Sequence, residues 1–241
     1  MSSIFEFEHP FITTDATVFS ISTKASDSYR RLPDCSLNLL LYQRAEQPYY
    51  GKWCLPGGFL NIDEMPEDNI CRKLFDKTHI AQCYLEQLYT FCDLERDPRA
   101  RVISIVYLAL LDELKMNQIN EESRWFKLTP NTSSFTLAAK DGLVLSEEDF
   151  GFDHLAIIEK AFERLQSKIL YSDIAFHLLP QEFTLTQMQH VYETILGKKE
   201  MAANFRRKIR DMVEETGRST SEKGHRPAKL YIHKQDSDPE W

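Results

Sequence analysis

The stretch GKWCLPGGFLNIDEMPEDNICRKLFDKTHI, residues 51–80, combines a glycine-containing segment with a charged helical segment. Pro56-Gly57-Gly58 lies in a loop, and residues 67–78 predict a helix because acidic side chains occupy the first turn, where the helix dipole favours them. Three charged positions of this helix are spaced i, i+3, i+4 and therefore fall on one face. These positions are Lys73, Asp76 and Lys77.

The spacing of Gly58, Glu64 and Arg72 resembles the Nudix box. In that motif five residues separate the glycine from the glutamate, and seven residues separate the glutamate from the arginine, as they do here. Leu74 and Ile80 match two apolar positions of the same motif. The resemblance implies an α/β/α sandwich with a mixed sheet.

The positions that carry Nudix chemistry differ in this chain. After the arginine the motif continues Glu-apolar-x-Glu-Glu-x-Gly, whereas this chain has Lys73, then Asp76 and Lys77, then His79. In the family these carboxylates hold Mg²⁺, which stabilises charge on a pyrophosphate and helps to supply a nucleophilic water. A protonated lysine cannot be a metal ligand. We therefore assign no catalytic residue, metal or cofactor from the sequence.

Composition places the chain among ordinary globular proteins. Of its 241 residues, 42% are hydrophobic and 27% are charged, and a core can form without disulfides. The five cysteines are an odd number without a CxxC pair, which favours reduced thiols in a cytoplasmic protein. The acidic N-terminus and the lack of a long apolar run predict neither a secretory signal nor a membrane span.

Hydrophobic periodicity predicts strands in the first half of the chain and helices in the second. A long apolar stripe with helical spacing begins at residue 153, and Pro180 interrupts the chain after it. Two short helices follow at residues 185–197 and 202–213, with short strands after them. The predicted strands of the first half are 16–22, 36–42, 84–92, 101–111 and 122–128, with a hairpin at 137–144.

Charge is distributed unevenly along the chain. The net charge is −8, yet residues 184–241 contain 11 basic and 9 acidic residues. Six of the basic residues lie within residues 197–210. An acidic body with a basic C-terminal segment suggests two domains with different partners.

Residues 85–110, Phe152-Asp153-His154 and residues 169–209 resemble one branch of the Nudix superfamily. That branch joins an N-terminal Nudix domain to a C-terminal winged helix-turn-helix domain, and its members are transcription regulators. Helix-turn-helix proteins commonly bind two half-sites as two-fold dimers, so we expect a homodimer on a palindromic operator in double-stranded DNA, with a repressor as the expected type. The predicted boundaries are 1–152 for a Nudix-like effector-binding domain, 153–178 for a connecting helix and 179–235 for the DNA-binding domain.

The helix predicted at 202–213 has the pattern of a DNA-recognition helix. Phe205, Ile209 and Met212 recur at helical spacing and are expected to pack inward, so that polar and basic side chains remain outside. Arginine pairs with guanine and asparagine with adenine in the major groove, whereas other basic groups more often contact phosphate. The alternative is an ordinary solvated helix. The candidate DNA-binding residues are Lys198, Lys199, Asn204, Arg206, Arg207, Lys208, Arg210, Lys223, His225, Arg226 and Lys229.

A Nudix fold that is kept although its metal-binding carboxylates are replaced favours a domain that senses a ligand. In the resembling family the effector is ADP-ribose or a pentose such as L-arabinose. The altered box tilts the expectation slightly toward a sugar, which needs a few hydrogen-bonding groups and an aromatic wall, while arginines suit a pyrophosphate. The candidate effector-binding residues are Trp53, Glu64, Lys73, Asp76, Lys77, Tyr89, Phe91, Arg96, Arg99 and Arg101.

Two other functions compete with the sensor. The first is a Nudix hydrolase of ADP-ribose or a nucleotide sugar, with a relocated metal site built from Glu64, Asp76 and Glu67. The second is a binding module whose basic helix contacts an acidic protein instead of DNA. A regulator predicts salt-dependent DNA binding, and a hydrolase predicts Mg²⁺-dependent turnover.

Overall fold

The computed structural model of the protein describes residues 8–24, 34–131, 134–220 and 227–234. An N-terminal domain contains one eight-stranded sheet, and a C-terminal domain contains two helices and a two-stranded sheet. The strands are β1 (Phe11–Lys24), β2 (Asp34–Gln43), β3 (Trp53–Cys54), β4 (Gly57–Phe59), β5 (Tyr84–Phe91), β6 (Val102–Leu111), β7 (Ser123–Pro130), β8 (Phe135–Ala138), β9 (Val213–Ser219) and β10 (Lys229–His233). The α-helices are α1 (Pro66–Thr78), α2 (His154–Lys168), α3 (Leu185–Leu196) and α4 (Ala202–Ile209).

The large sheet is mixed, as predicted. Its order is β5-β6-β1-β2-β7-β8, with β3 beside β2 and β4 beside β1. Strand β1 runs parallel to β6 and antiparallel to β2 and β4. Because β4, which contains Gly57 and Gly58, pairs with β1, the segment that leads into α1 is held at the centre of the sheet.

Both faces of the sheet are covered by helices. On one face, Ile70 and Leu74 of α1 pack with Val18 and Leu40. On the other face, α2 buries Ile158 and its apolar neighbours in a larger core. Since both faces are buried, the central strands are apolar along most of their length, as β6 shows.

The larger core extends without interruption into the C-terminal domain. It contains Leu39 and Leu41 of β2 together with Met188 and Val191 of α3, and α3 packs against β2. Packing therefore does not separate the two domains, and the boundaries given above remain predictions. Over the ranges that the structure describes, no helix is long and apolar enough to span a membrane.

Several elements differ from the sequence prediction. Gly57 and Gly58, expected in a loop, belong to β4, and the connecting helix predicted at 153–178 ends at Lys168, followed by a 3₁₀ helix at Ile174–Leu178. The helix predicted at 202–213 ends at Ile209, because a 3₁₀ turn at Arg210–Met212 leads directly into β9, which pairs with β10. In the hairpin predicted at 137–144, the second strand is reduced to one bridge between Ala138 and Val144. In these last two places, tertiary pairing overrides local propensity.

His79 ends α1 in a left-handed conformation, with φ 63° and ψ 12°, and its N–H donates to the Phe75 carbonyl. A residue with a Cβ pays about 1 kcal/mol for this conformation. We therefore expect His79→Gly to raise the free energy of unfolding by about 0.5–1 kcal/mol, measured by urea denaturation.

The matched control is Gly142→Ala. Gly142 has φ 92°, and a Cβ built there contacts nothing within 4 Å, so the substitution tests backbone strain alone. It should lower the free energy of unfolding by a similar amount. A destabilised His79→Gly variant would contradict the strain argument.

Candidate functional site

Glu64, in the loop before α1, ties that loop to the first and second turns of the helix. Its carboxylate accepts hydrogen bonds from Arg72 Nε and Nη2, each 2.7 Å long, and from Asn69 Nδ2 at 2.7 Å. The Arg72 and Asn69 hydrogen bonds lower the pKa of Glu64 to about 2. Asn69 also accepts from Thr14 and donates to the Phe59 carbonyl. The box glutamate thus has a structural task in fixing the loop to the helix.

The carboxylates proposed for a relocated metal site are not brought together. Asp76 is exposed and lies 3.7 Å from Arg72, whereas Glu67 accepts a hydrogen bond from the Tyr107 hydroxyl. In the part of the chain that the structure describes, no group of three or more His, Cys, Asp or Glu side chains is placed to hold a metal ion. The residues present do not fit the Mg²⁺ of the Nudix motif.

Lys73 and Lys77 stand in place of that metal site. The Lys73 stem crosses Gly58 closely: a Cβ built at residue 58 would lie 2.9 Å from Lys73 Cε, so a larger residue there would displace the lysine side chain. Burial, followed by the neighbouring Arg72, lowers the pKa of Lys73. Lys77 Nζ lies 4.9 Å from the centre of the Tyr42 ring. Neither ammonium has a carboxylate within salt-bridge distance among the described residues.

Two arginines complete this cluster from the other side. Arg44 and Arg99 both lie over the Phe152 ring, and their Cζ atoms are 5.2 Å and 5.6 Å from its centre. Arg99 is paired with Asp97 at 2.7 Å, while Arg44 donates to the Pro48 carbonyl. Burial raises the pKa of Tyr42 to about 12, and nearby Arg44 opposes that rise. Tyr42, which Lys77 covers, also interacts with Arg44 and Arg99, and Arg99 lies 5.3 Å from the centre of the Phe59 ring, next to the Gly58 that Lys73 crosses. We call Arg44, Lys73, Lys77 and Arg99 the cationic site.

Sequence reasoning did not identify Arg44. The available signal was its position directly after the strand predicted at 36–42, at the entrance to the loop that leads to Gly51. With Arg44 included, three of the four cations lack a carboxylate partner in the described ranges. The arrangement is suited to binding an anion with several oxygens.

Arg96, predicted to contact an effector, has another task. Its guanidinium makes two 2.9 Å hydrogen bonds to Asp153 and lies 3.8 Å from Asp15. The Arg96 side chain is only 4% exposed. Asp15 in turn accepts a 2.5 Å hydrogen bond from Ser104. Arg96 therefore ties the start of α2 to the centre of the sheet.

His154 is the neighbouring member of this buried network, and its Nδ1 accepts a 3.0 Å hydrogen bond from the Leu55 N–H. Burial lowers the pKa of His154 to about 4, so the folded protein keeps it neutral while an unfolded chain protonates it near pH 6.5. Stability is therefore lost as pH falls through this window, by about 2 kcal/mol between pH 6.5 and pH 5.

We expect His154→Gln to remove most of that loss, because glutamine can accept the same hydrogen bond without titrating. Urea denaturation of both proteins at pH 6.5 and pH 5 measures the difference. An equal loss of stability in the variant would show that His154 does not control this window.

The predicted aromatic wall is not assembled beside the cationic site. Trp53 packs on Phe126 at 4.8 Å, on the face of the sheet opposite α1, because neighbouring strand residues point to opposite faces. Tyr89 and Phe91 contact each other at 5.5 Å, and Lys160 of α2 lies over the Tyr89 ring. The remaining candidate, Arg101, donates to the Asp93 carbonyl.

The C-terminal domain has the predicted helix-turn-helix geometry. Thr184 caps α3, and Gly197 ends it in a left-handed conformation with φ 65°. Glu193 accepts hydrogen bonds from Gln189 and from the Glu200 N–H, which fixes the turn.

Helix α4 buries Phe205 and Ile209, and Phe205 packs on Tyr192 of α3. Among the described candidates, Lys199 lies 3.7 Å from Glu193, Lys229 pairs with Glu215, and Lys208 lies over Tyr192. The exposed candidates on the outer surface are Lys198, Lys199, Asn204, Arg206, Arg207, Lys208, Arg210 and Lys229. Lys223, His225 and Arg226 lie outside the described residues.

Comparison with known proteins agrees with both halves of this geometry. Residues 32–142 match the NUDIX domain family, and residues 175–232 match the NrtR DNA-binding winged helix domain family. The ADPR responsive transcriptional repressor NtrR of Acinetobacter baylyi is 34% identical over 233 residues, which cover 94% of this chain and 83% of that protein.

Two solved structures are similar over nearly the whole chain. NrtR of Shewanella oneidensis in complex with a 27mer DNA has 34% identity and a TM-score of 0.71, covering 92% of this chain and 93% of that one. A MutT/nudix family protein from Enterococcus faecalis has 28% identity and a TM-score of 0.78, covering 97% and 90%. This chain therefore belongs to the NrtR family of regulators, in which a Nudix domain is joined to a DNA-binding winged helix domain.

Proposed function

We propose that this protein is a transcriptional repressor whose Nudix domain binds ADP-ribose without a metal and without hydrolysing it. The cationic site carries the proposal. Two lysines replace the metal-binding carboxylates, and three of the four cations have no carboxylate partner among the described residues. A diphosphate supplies the missing negative charge.

Electrostatics favours such a ligand. At a separation of about 5 Å and an effective dielectric constant of about 20, each pair of unit charges contributes about 3 kcal/mol. Several fixed cations can thus replace the charge of Mg²⁺. Lys73 is half-buried and its pKa is lowered mainly by that burial. An adjacent diphosphate would raise the Lys73 pKa again, so binding favours the charged form.

We favour ADP-ribose over the pentose that the sequence slightly favoured. A neutral sugar would leave the positive charge of the cationic site without a counter-charge, whereas a diphosphate balances it, and the predicted wall residues Trp53, Tyr89 and Phe91 lie elsewhere. The Acinetobacter relative is described as ADPR responsive. Lys73, Lys77, Arg99 and Arg44 are the proposed diphosphate ligands.

The DNA partner is proposed from α4. Its exposed basic side chains stand beside one another, and the Shewanella relative was solved with DNA bound. We propose that two copies bind a palindromic operator in the cytoplasm, since helix-turn-helix dimers match two half-sites. We also propose that ADP-ribose weakens this complex, as expected of a repressor.

The test combines calorimetry with mobility shifts on the chain's own upstream DNA. In buffer with EDTA, ADP-ribose should bind and should weaken the DNA complex, whereas arabinose and xylose should do neither. No binding, or binding that requires Mg²⁺, would overturn the proposal. Release of AMP and ribose phosphate would instead identify a hydrolase.

A further inference from the structure

We propose that Phe152 couples occupancy of the cationic site to the position of α2, an inference that rests on the proposed function. Phe152 has φ 56°, a left-handed backbone that bulky residues rarely adopt. Tyr49 has φ 67°, and its ring packs on Phe152 with centroids 4.7 Å apart and ring planes tilted by 59°. Phe152, just before α2, and Tyr49, in the loop between β2 and β3, thus pack against each other in strained backbone conformations. Such strain persists only where the surrounding structure enforces it.

Arg44 and Arg99 are part of those surroundings. Both guanidinium groups lie on the Phe152 ring, and both are the groups that an anionic ligand attracts. Charge-assisted hydrogen bonds to phosphate are stronger than contacts between a cation and an aromatic ring. A bound diphosphate therefore draws the two arginines away from Phe152 and removes part of what holds its conformation.

The chain on either side of Phe152 makes it a pivot. Gly151 is fixed, since its N–H donates to the Trp53 carbonyl and a Cβ there would lie 2.8 Å from Cys54 Sγ. Asp153 begins the turn into α2 and is held by Arg96. Because Asp153 and His154 hold the first turn of α2 to the sheet, a change of φ at Phe152 is transmitted as a small tilt of the helix about this end.

Helix α2 contacts the DNA-binding domain directly. Gln166 Nε2 donates a 2.9 Å hydrogen bond to the Ile195 carbonyl, in the last turn of α3. Lys168, at the end of α2, pairs with Glu86 of β5 in the Nudix domain, which keeps any displacement of the helix small. A displaced α2 therefore acts on α3, and through the fixed turn on α4.

The experiment measures coupling as the ratio of DNA dissociation constants with and without saturating ADP-ribose. Couplings between sites are typically about 5- to 150-fold. We expect wild type to fall in this range, and Phe152→Leu to fall below about 2-fold whatever its absolute affinities. Phe152→Tyr keeps the ring and should keep the ratio.

The outcomes separate the two proposals. A wild-type protein whose DNA affinity ignores ADP-ribose refutes the proposed function itself. A Phe152→Leu variant that keeps the wild-type ratio refutes only the role of Phe152. Hydrogen exchange on wild type gives a second measurement that does not depend on a variant folding: ADP-ribose should change exchange across residues 150–158, and unchanged exchange there would overturn the inference.

Discussion

Replacing Arg206 and Arg207 together by alanine is expected to weaken DNA binding by at least about 100-fold. Both side chains are exposed on α4, and neither has a carboxylate partner in the described ranges. Loss of one base contact costs about 1–3 kcal/mol, and loss of a phosphate contact reduces the salt dependence by about one unit of slope. Fluorescence anisotropy with upstream DNA at several salt concentrations measures both effects.

The control variant removes two positive charges from the Nudix domain instead of from α4. Lys127 and Lys140 are exposed on the Nudix domain, and Lys127→Ala combined with Lys140→Ala changes the net charge equally. This variant should bind DNA within about 3-fold of wild type if contacts on α4 are responsible. Equal weakening by both double variants would point to non-specific attraction and would remove α4 from the DNA interface.

Reversing the charge of Lys73 is expected to weaken ADP-ribose binding by about 100-fold or more. Lys73→Glu places a carboxylate where the diphosphate would lie, and two units of charge change at roughly 5 Å amount to several kcal/mol even in a dielectric of about 20. Calorimetric titration in EDTA measures the loss. DNA binding without ligand should remain, because Lys73 lies on α1, on the opposite face of the sheet from α3.

Two further variants define the Lys73 result. Lys73→Arg keeps the charge and should stay within about 10-fold of wild type, whereas Lys140→Glu makes the same charge reversal on an exposed turn residue and should have little effect. If Lys73→Glu bound ADP-ribose as tightly as wild type, the ligand would not occupy the cationic site.

The sequence predicted those features that local pattern controls. Helix α1 was expected at residues 67–78 and forms at Pro66–Thr78, since box spacing and helix signals both lie within a short stretch. The two helices of the DNA-binding domain were also predicted, because turn residues such as Gly197 mark their junction. Resemblance to the Nudix box added the mixed sheet, which periodicity alone does not specify.

The details of the effector site required tertiary structure. Arg96 meets Asp153, 57 positions away in sequence, and no local pattern predicts such a pair. Trp53 was a candidate for the aromatic wall of the effector site, yet strand pairing sends it to the face of the sheet opposite α1. Arg44 became a candidate only once Phe152 was seen to lie against it.

The unbroken packing of α3 against β2 restricts how this molecule can respond to a ligand. A flexible linker would let the DNA-binding domain rotate freely. Here such a rotation would separate Leu39 and Leu41 from Met188 and Val191 and expose buried apolar surface to water. The displacement of lowest cost is a small sliding of α3 along its interface with β2, as in shear motions. In the dimer proposed above, such a displacement would change the spacing and tilt of the two recognition helices by small amounts.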